Sequence, residues 1–181
     1  MRASRAPGMP AAISSERAGT VAVSSSPTST LFQRRNLGQL TSQGFTAEWD
    51  LRPAGFLTLT GGYQYANSTV TKFQADPTLV GKWTPEVPRN SASLQMRMEQ
   101  AKLGVLDIDL RTSGQQFDDS ANQFRLAGYA QVDLLAERSL GHSFSVYGSV
   151  RNLLDHQVQA GRTPLLTLGA PRIVSVGVRL H

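Results

Sequence analysis

Residues 89–112 read RNSASLQMRMEQAKLGVLDIDLRT. Ala92, Leu94, Met96 and Met98 alternate with Ser91, Ser93, Gln95, Arg97 and Glu99. After a short turn at Ala101-Lys102, Leu106, Ile108 and Leu110 alternate with Asp107, Asp109 and Arg111. Successive side chains of an extended chain point to opposite sides, so this pattern predicts a two-stranded hairpin with one apolar and one charged face.

The same period recurs on both sides. Phe45, Ala47, Trp49 and Leu51 oppose Thr46, Glu48 and Asp50 within a strand over 41–51. After a turn at Pro53-Ala54-Gly55, Leu57, Leu59, Tyr63 and Tyr65 oppose Thr58, Thr60 and Gln64 over 56–69. Further strands are predicted over 126–137, 142–151 and 172–181, the last with Val174, Val176, Val178 and Leu180 on one parity. A short strand end at 30–35, turned by Asn36-Leu37-Gly38, brings the number to about eight.

Strand length separates a membrane wall from a soluble sheet. Several segments run to 10 or more residues, against a usual length of about 5–6 in soluble proteins and about 9–11 for a tilted membrane-crossing strand. The connectors alternate short and long, with the long ones at 70–88, 113–125 and 152–171. Outer-membrane barrels have short periplasmic turns and longer external loops. These observations predict an all-β fold: an antiparallel, up-and-down membrane β-barrel fragment of about eight strands, forming an open curved sheet. Trp49, Phe56, Tyr63, Tyr65 and Phe144 are candidates for interfacial aromatic belts.

Residues 1–29 are of another kind. Pro10, Ser14, Ser15, Glu16 and Arg17 interrupt any apolar run behind Arg2 and Arg5. The expectation is an irregular or disordered segment without a signal peptide, with a marginal strand at 21–25. The 181 residues contain no Cys, which excludes disulfides, thiol catalysis and thiolate metal sites. Charged residues are 17% of the chain and the net charge is +5, yet Lys and Arg are spread rather than clustered, so no nucleic-acid partner is expected. His142, His156 and His181 are scattered, and Asp118-Asp119 reads as a solvated acidic turn. No catalytic residue, metal ligand or cofactor is expected, and the chain is not read as an enzyme.

Several segments, in order, carry a family resemblance. They are Asn36-Leu-Gly-Gln-Leu-Thr-Ser-Gln-Gly44-Phe-Thr-Ala-Glu48-Trp, Phe73-Gln-Ala-Asp-Pro77-Thr-Leu-Val-Gly81-Lys and Pro85-Glu-Val-Pro88-Arg89. Gly128-Tyr129-Ala-Gln-Val-Asp133, Val150-Arg-Asn152-Leu153-Leu154-Asp155 and Gly169-Ala-Pro171-Arg172 complete the set. Residues 30–181 resemble the C-terminal β-barrel portion of a TonB-dependent outer-membrane receptor, with Leu154 where the family usually has Phe. The resemblance implies residence in the outer membrane, contact with its lipid, and energised uptake of a ferric siderophore or similarly scarce ligand. It also implies a barrel of 22 strands in the intact protein, with an N-terminal plug and a TonB-contacting segment, neither of which is recognised in these residues. Phe73, Trp83 and Arg162 fall in the long connectors and are candidates for a ligand-facing surface; the plainer reading makes them structural loop residues. Two other readings stay open: a complete eight-stranded barrel with a structural or adhesive role, and a soluble β-domain acting as a binding module.

Overall fold

The computed structural model describes residues 11–26, 29–141 and 143–180, with side-chain surroundings from residue 38 onward, apart from residues 142 and 181. Eight strands form one antiparallel sheet in chain order. They are β1 (Ala11–Ser26), β2 (Ser29–Ala54), β3 (Leu57–Phe73), β4 (Asn90–Gln100), β5 (Gly104–Ser113), β6 (Tyr129–Ser139), β7 (Phe144–Arg151) and β8 (Ile173–Leu180). Two small ladders lie in the long connectors, Gln116–Phe117 with Arg125–Leu126 and Gln159–Gly161 with Thr167–Leu168. The sheet is open, as expected, because β1 and β8 occupy opposite edges. The barrel closure and marked curvature are not found. Closure needs strand-to-strand hydrogen bonds around the full circumference, and no described strand joins the two edges.

The expected number of strands arises from different residues. Ala11–Ser26, read from sequence as irregular apart from a marginal strand at 21–25, is a strand paired along its length with β2. A Ser- and Ala-rich segment lacks an apolar stripe, but ladder hydrogen bonds are made by the backbone and need only a partner. Residues 1–10, with Arg2 and Arg5, lie outside the described residues, as do His142 and His181. The turn expected at 36–38 is absent, and β2 runs through it as one strand of 26 residues. Arg17 pairs with Gly38 and Ala18 with Asn36, which leaves Leu37 as the extra residue of a bulge. Gly38 is required there, because any Cβ would collide with the Phe73 ring and the Lys72 carbonyl.

Leu126 also leaves its expected strand. It pairs with Gln116 in the small ladder and is the buried hydrophobic residue of the described chain, 1% exposed. The Gly128 backbone passes against the Ser113 carbonyl, and β6 begins at Tyr129.

The register preserves the two faces across seven strands. Trp49 pairs with Gly61, Gly61 with Leu94, Leu94 with Leu110 and Leu110 with Val132. Leu134 continues to Val150, and Val150 to Val174. Cross-strand partners share a face, so these residues make one apolar surface. The opposite surface joins Thr60 to Gln95, Gln95 to Asp109 and Asp109 to Asp133.

That apolar surface is uncovered. Val174, Val176, Val178 and Leu180 are 63–82% exposed, and Phe45, Trp49, Leu51, Leu94 and Phe144 also lie open. Such residues together expose on the order of 1,000 Å² of apolar area, beyond the ~300–600 Å² of the largest patch on a soluble monomer. Contact with water would forgo about 25 kcal/mol relative to an apolar surrounding, at about 25 cal/mol per Å².

Candidate functional site

The two faces and the long-connector end divide the chemistry. On the polar face, ion pairs link strands, both between neighbours and across β7. Arg97 of β4 donates to Asp107 of β5 at 3.0 Å and reaches Glu99 at 3.4 Å. Arg111 of β5 pairs with Asp133 of β6. Arg179 of β8 donates to both oxygens of Glu137 at 2.9 Å, and the Ser145 hydroxyl donates to the same carboxylate at 2.7 Å. These cations are about half exposed, so each pair contributes at most about 1 kcal/mol in water. Glu48 and Asp109 line a groove with Thr60, Ser93, Gln95 and Arg111. The groove is open, without a nucleophile–base pair, and no group of three or more metal-ligating side chains occurs among the described residues.

At the long-connector end, three loops are joined. Trp83 is the hub of the first two. Its amide donates to Asn122 Oδ1 at 2.7 Å, and Asn122 Nδ2 donates back to the Trp83 carbonyl at 3.0 Å. Phe117 meets the indole edge-on at 5.4 Å, and the Arg89 guanidinium stacks 3.6 Å from its ring centre. The Glu86 amide donates to the Phe117 carbonyl at 2.8 Å, from a positive φ of 60°. A cation on one indole face and an aromatic edge against it favour this packing by roughly 1–3 kcal/mol.

Asp118 fastens the second loop to the third. Its carboxylate accepts the Arg162 amide at 2.8 Å and the Thr163 hydroxyl. The Thr163 hydroxyl, with the Arg162 amide behind it, holds the Asp118 carboxyl below its ordinary value. The Arg162 guanidinium donates to the Arg125 carbonyl at 3.2 Å. Burial pushes Asp119 upward, but amide donation from Phe124 and Gln123 outweighs it and leaves this carboxyl lowered too.

The structure therefore brings the Trp83 and Arg162 loops together through residues 117–125. Phe73 sits apart at the end of β3, its ring beside Gly38. Sequence reasoning picked out Trp83 but missed Asn122 and Arg89, which hold it. The positive φ of 57° at Asn122 fits Asn's tolerance of left-handed backbone, but nothing in the sequence singles it out from other loop Asn residues.

The recognised motifs acquire structural roles. Asn152 is 2% exposed with φ 51°. Its side chain accepts from the His156 amide at 3.0 Å and donates to the His156 and Ala170 carbonyls. Its own amide donates to Asp133 at 2.8 Å, linking the Gly128–Asp133 segment to the Asn152–Asp155 segment. Asp155, with φ 52°, accepts the Arg172 amide at 3.0 Å and thus positions the start of β8.

Residues 14–153 match the family described as TonB dependent receptor-like, beta-barrel. The fold is similar to BauA, the ferric preacinetobactin receptor of Acinetobacter baumannii, with 20% identity, a TM-score of 0.72, and coverage of 93% of this chain and 26% of BauA. It is also similar to FyuA, the ferric yersiniabactin uptake receptor of Yersinia pestis, with 19% identity, a TM-score of 0.71, and coverage of 82% and 24%. PiuA, a siderophore receptor of Acinetobacter baumannii, shares 19% identity and a TM-score of 0.72 over 80% of this chain and 22% of its own. The chain spans about a quarter of the length of these receptors. No curated protein matches it in sequence. With the family match covering most of its length and the alternating sheet in place, this chain belongs to the TonB-dependent receptor-like β-barrel family, whose members are transport proteins of the outer membrane and not enzymes.

Proposed function

We propose that this chain supplies barrel wall and external loops to an outer-membrane receptor that takes up a ferric siderophore or a similarly scarce ligand. In the intact receptor the sheet continues into a closed barrel, the TonB complex energises transport, and the polar face lines the lumen against a plug. One observation carries the reading: the apolar parity is continuous and uncovered over seven strands, while the opposite parity is charged and cross-linked by ion pairs. Lipid is the surrounding that removes the cost of the first face, and a water-filled or plugged lumen suits the second.

Aromatic placement supports the same orientation. Phe45 packs with Tyr63 and Tyr65 at 5.7 and 5.9 Å, toward the long-connector end, whereas Phe56 and Phe144 lie open at the short-turn end. From Leu57 to Tyr65 the chain covers about 26 Å along the strand, or about 20 Å along the membrane normal at ~40° tilt, close to the ~25 Å apolar band of such barrels. The long connectors then face outward, and Trp83 and Arg162 belong to the joined loop surface there; Phe73 lies at its margin. We place ligand contact on that loop surface.

The two tryptophans test the membrane reading. Trp49 lies on the apolar face and Trp83 in the loops. In vesicles of lipid brominated along the acyl chain, the Trp83→Phe protein is expected to be quenched strongly and the Trp49→Phe protein weakly. Equal quenching, or solubility as a monomer without detergent or lipid, would sink the reading. For the transport role, a receptor carrying these residues should restore radioactive ferric-siderophore uptake to a receptor-deleted strain, and should lose it when residues 114–128 are replaced by a Gly/Ser linker; retained uptake would remove the loops from ligand capture.

A further inference from the structure

Between the Phe45–Tyr65 pair and the short turns, the apolar parity of β2–β8 carries one ionised side chain, Arg138 near the end of β6. It stands opposite Val146, on the face of Leu134 and Ala136, and is exposed. It makes no ion pair with any described residue. The nearby carboxylates Glu99 and Glu137 belong to the opposite parity, where they pair with Arg97 and Arg179. An unpaired guanidinium facing lipid is costly unless it meets an anion or water at the interface.

Arg138 also borders a groove of ≈ 660 Å³ on the apolar face. Phe56, Met98, Leu103, Leu106, Leu140 and Val146 line it. Glu137 also borders it, its carboxylate taken up by Arg179 and the Ser145 hydroxyl on the opposite face. The groove is thus apolar along its floor, with the Arg138 cation at its short-turn rim, and the carboxylate that borders it is already paired with Arg179.

We propose that this groove is a binding site for a glycerophospholipid of the periplasmic leaflet: Arg138 receives the phosphate and the apolar floor takes an acyl chain. The occupant follows from charge complementarity at one end and apolar burial at the other. A guanidinium forks onto two phosphate oxygens, whereas an ammonium offers a point charge. The site rests on the outer-membrane reading proposed above, and adds to it one preferred lipid at one place on the wall.

The test uses the full chain refolded in nonionic micelles, with fluorescent phosphatidylglycerol titrated against it. Arg138→Gln is expected to weaken binding about tenfold or more, the usual loss for a charge-assisted hydrogen-bonded contact, with Arg138→Lys falling between it and the parent. Glycerophosphoglycerol, the headgroup without acyl chains, is expected not to compete. Equal binding by Arg138→Gln and the parent would overturn the proposal, as would full competition by the free headgroup or by inorganic phosphate. Quenching of Trp49 by brominated lipid, read on the same samples, keeps the two readings apart: quenching with no effect of Arg138→Gln removes the lipid site alone, and absence of quenching removes the membrane wall and the site with it.

Discussion

Leu94 and Gln95 are neighbours in β4 and point to opposite faces, so one substitution at each separates lipid from lumen. Leu94 stands six residues before Gln100, the end of its strand. At about 3.3 Å per residue and ~45° tilt it lies about 14 Å above the short turn, near the middle of an apolar band of ~25 Å. Arg at such a depth costs about 2–4 kcal/mol on the lipid face of a barrel. Leu94→Arg should therefore shift the folding equilibrium in vesicles by roughly 30- to 1,000-fold, at about 1.4 kcal/mol per factor of ten. Gln95 pairs in register with Asp109, which has no ion-pair partner among the described residues. Gln95→Arg brings a cation to that carboxylate and should change stability by less than about 1 kcal/mol, on the favourable side. The assay is reversible denaturant unfolding in phospholipid vesicles, followed by tryptophan emission. Leu94 is 37% exposed with no protein layer over it, so a large loss can come only from lipid. A Leu94→Arg protein within 0.5 kcal/mol of the parent, or a Gln95→Arg loss of equal size, would refute the assignment of faces.

Three further outcomes follow from local geometry. Gly61→Ala drives a methyl into the Trp49 ring and should cost about 1–3 kcal/mol with a shift in Trp49 emission; an unchanged spectrum and stability would contradict the packing. Asn152→Ala leaves its partners on His156 and Ala170 unmatched, and should speed hydrogen exchange at the His156 amide by a factor of ~30, equivalent to about 2 kcal/mol; unaltered exchange would show that Asn152 is not the hub of this loop. The Asp118 carboxyl is held below its ordinary value when folded, first by the Thr163 hydroxyl, so its bond to the third loop is intact above the ordinary aspartate range and is lost as pH falls through the folded value. Asp118→Asn should mimic the protonated state at neutral pH and raise proteolysis within 159–168, whereas unchanged cleavage in that variant would place the fastening elsewhere.

Strands with an apolar parity of their own were legible one by one. The β8 expectation of 172–181 and the observed Ile173–Leu180 nearly coincide, because Val174, Val176 and Val178 admit a single phase. Of β1 only the marginal strand at 21–25, and of the N-terminal half of β2 only the strand end at 30–35, were legible, because the hydrogen bonds of the rest depend on a neighbour and not on a stripe. Asn36-Leu37-Gly38 has the composition of a turn, and β1 and β3 on either side convert it into a bulge. Within the loops, Trp83 stood out by size, but its clamp required residues 39 positions away at Asn122 to arrive in space.

The sequence by itself determined the period, the two faces, the alternation of short and long connectors, and the motifs Gly128–Asp133 and Asn152–Asp155. Those properties are written along the chain because a strand's side chains alternate whatever it pairs with. Only the tertiary structure decided the register that merges seven stripes into one uncovered apolar surface, the ion pairs across the other face, and the joining of three loops through Asn122 and Asp118. It also isolated Arg138 on the apolar parity. Each of these depends on which residues stand opposite one another across strands, and that is fixed by backbone pairing between segments distant in sequence.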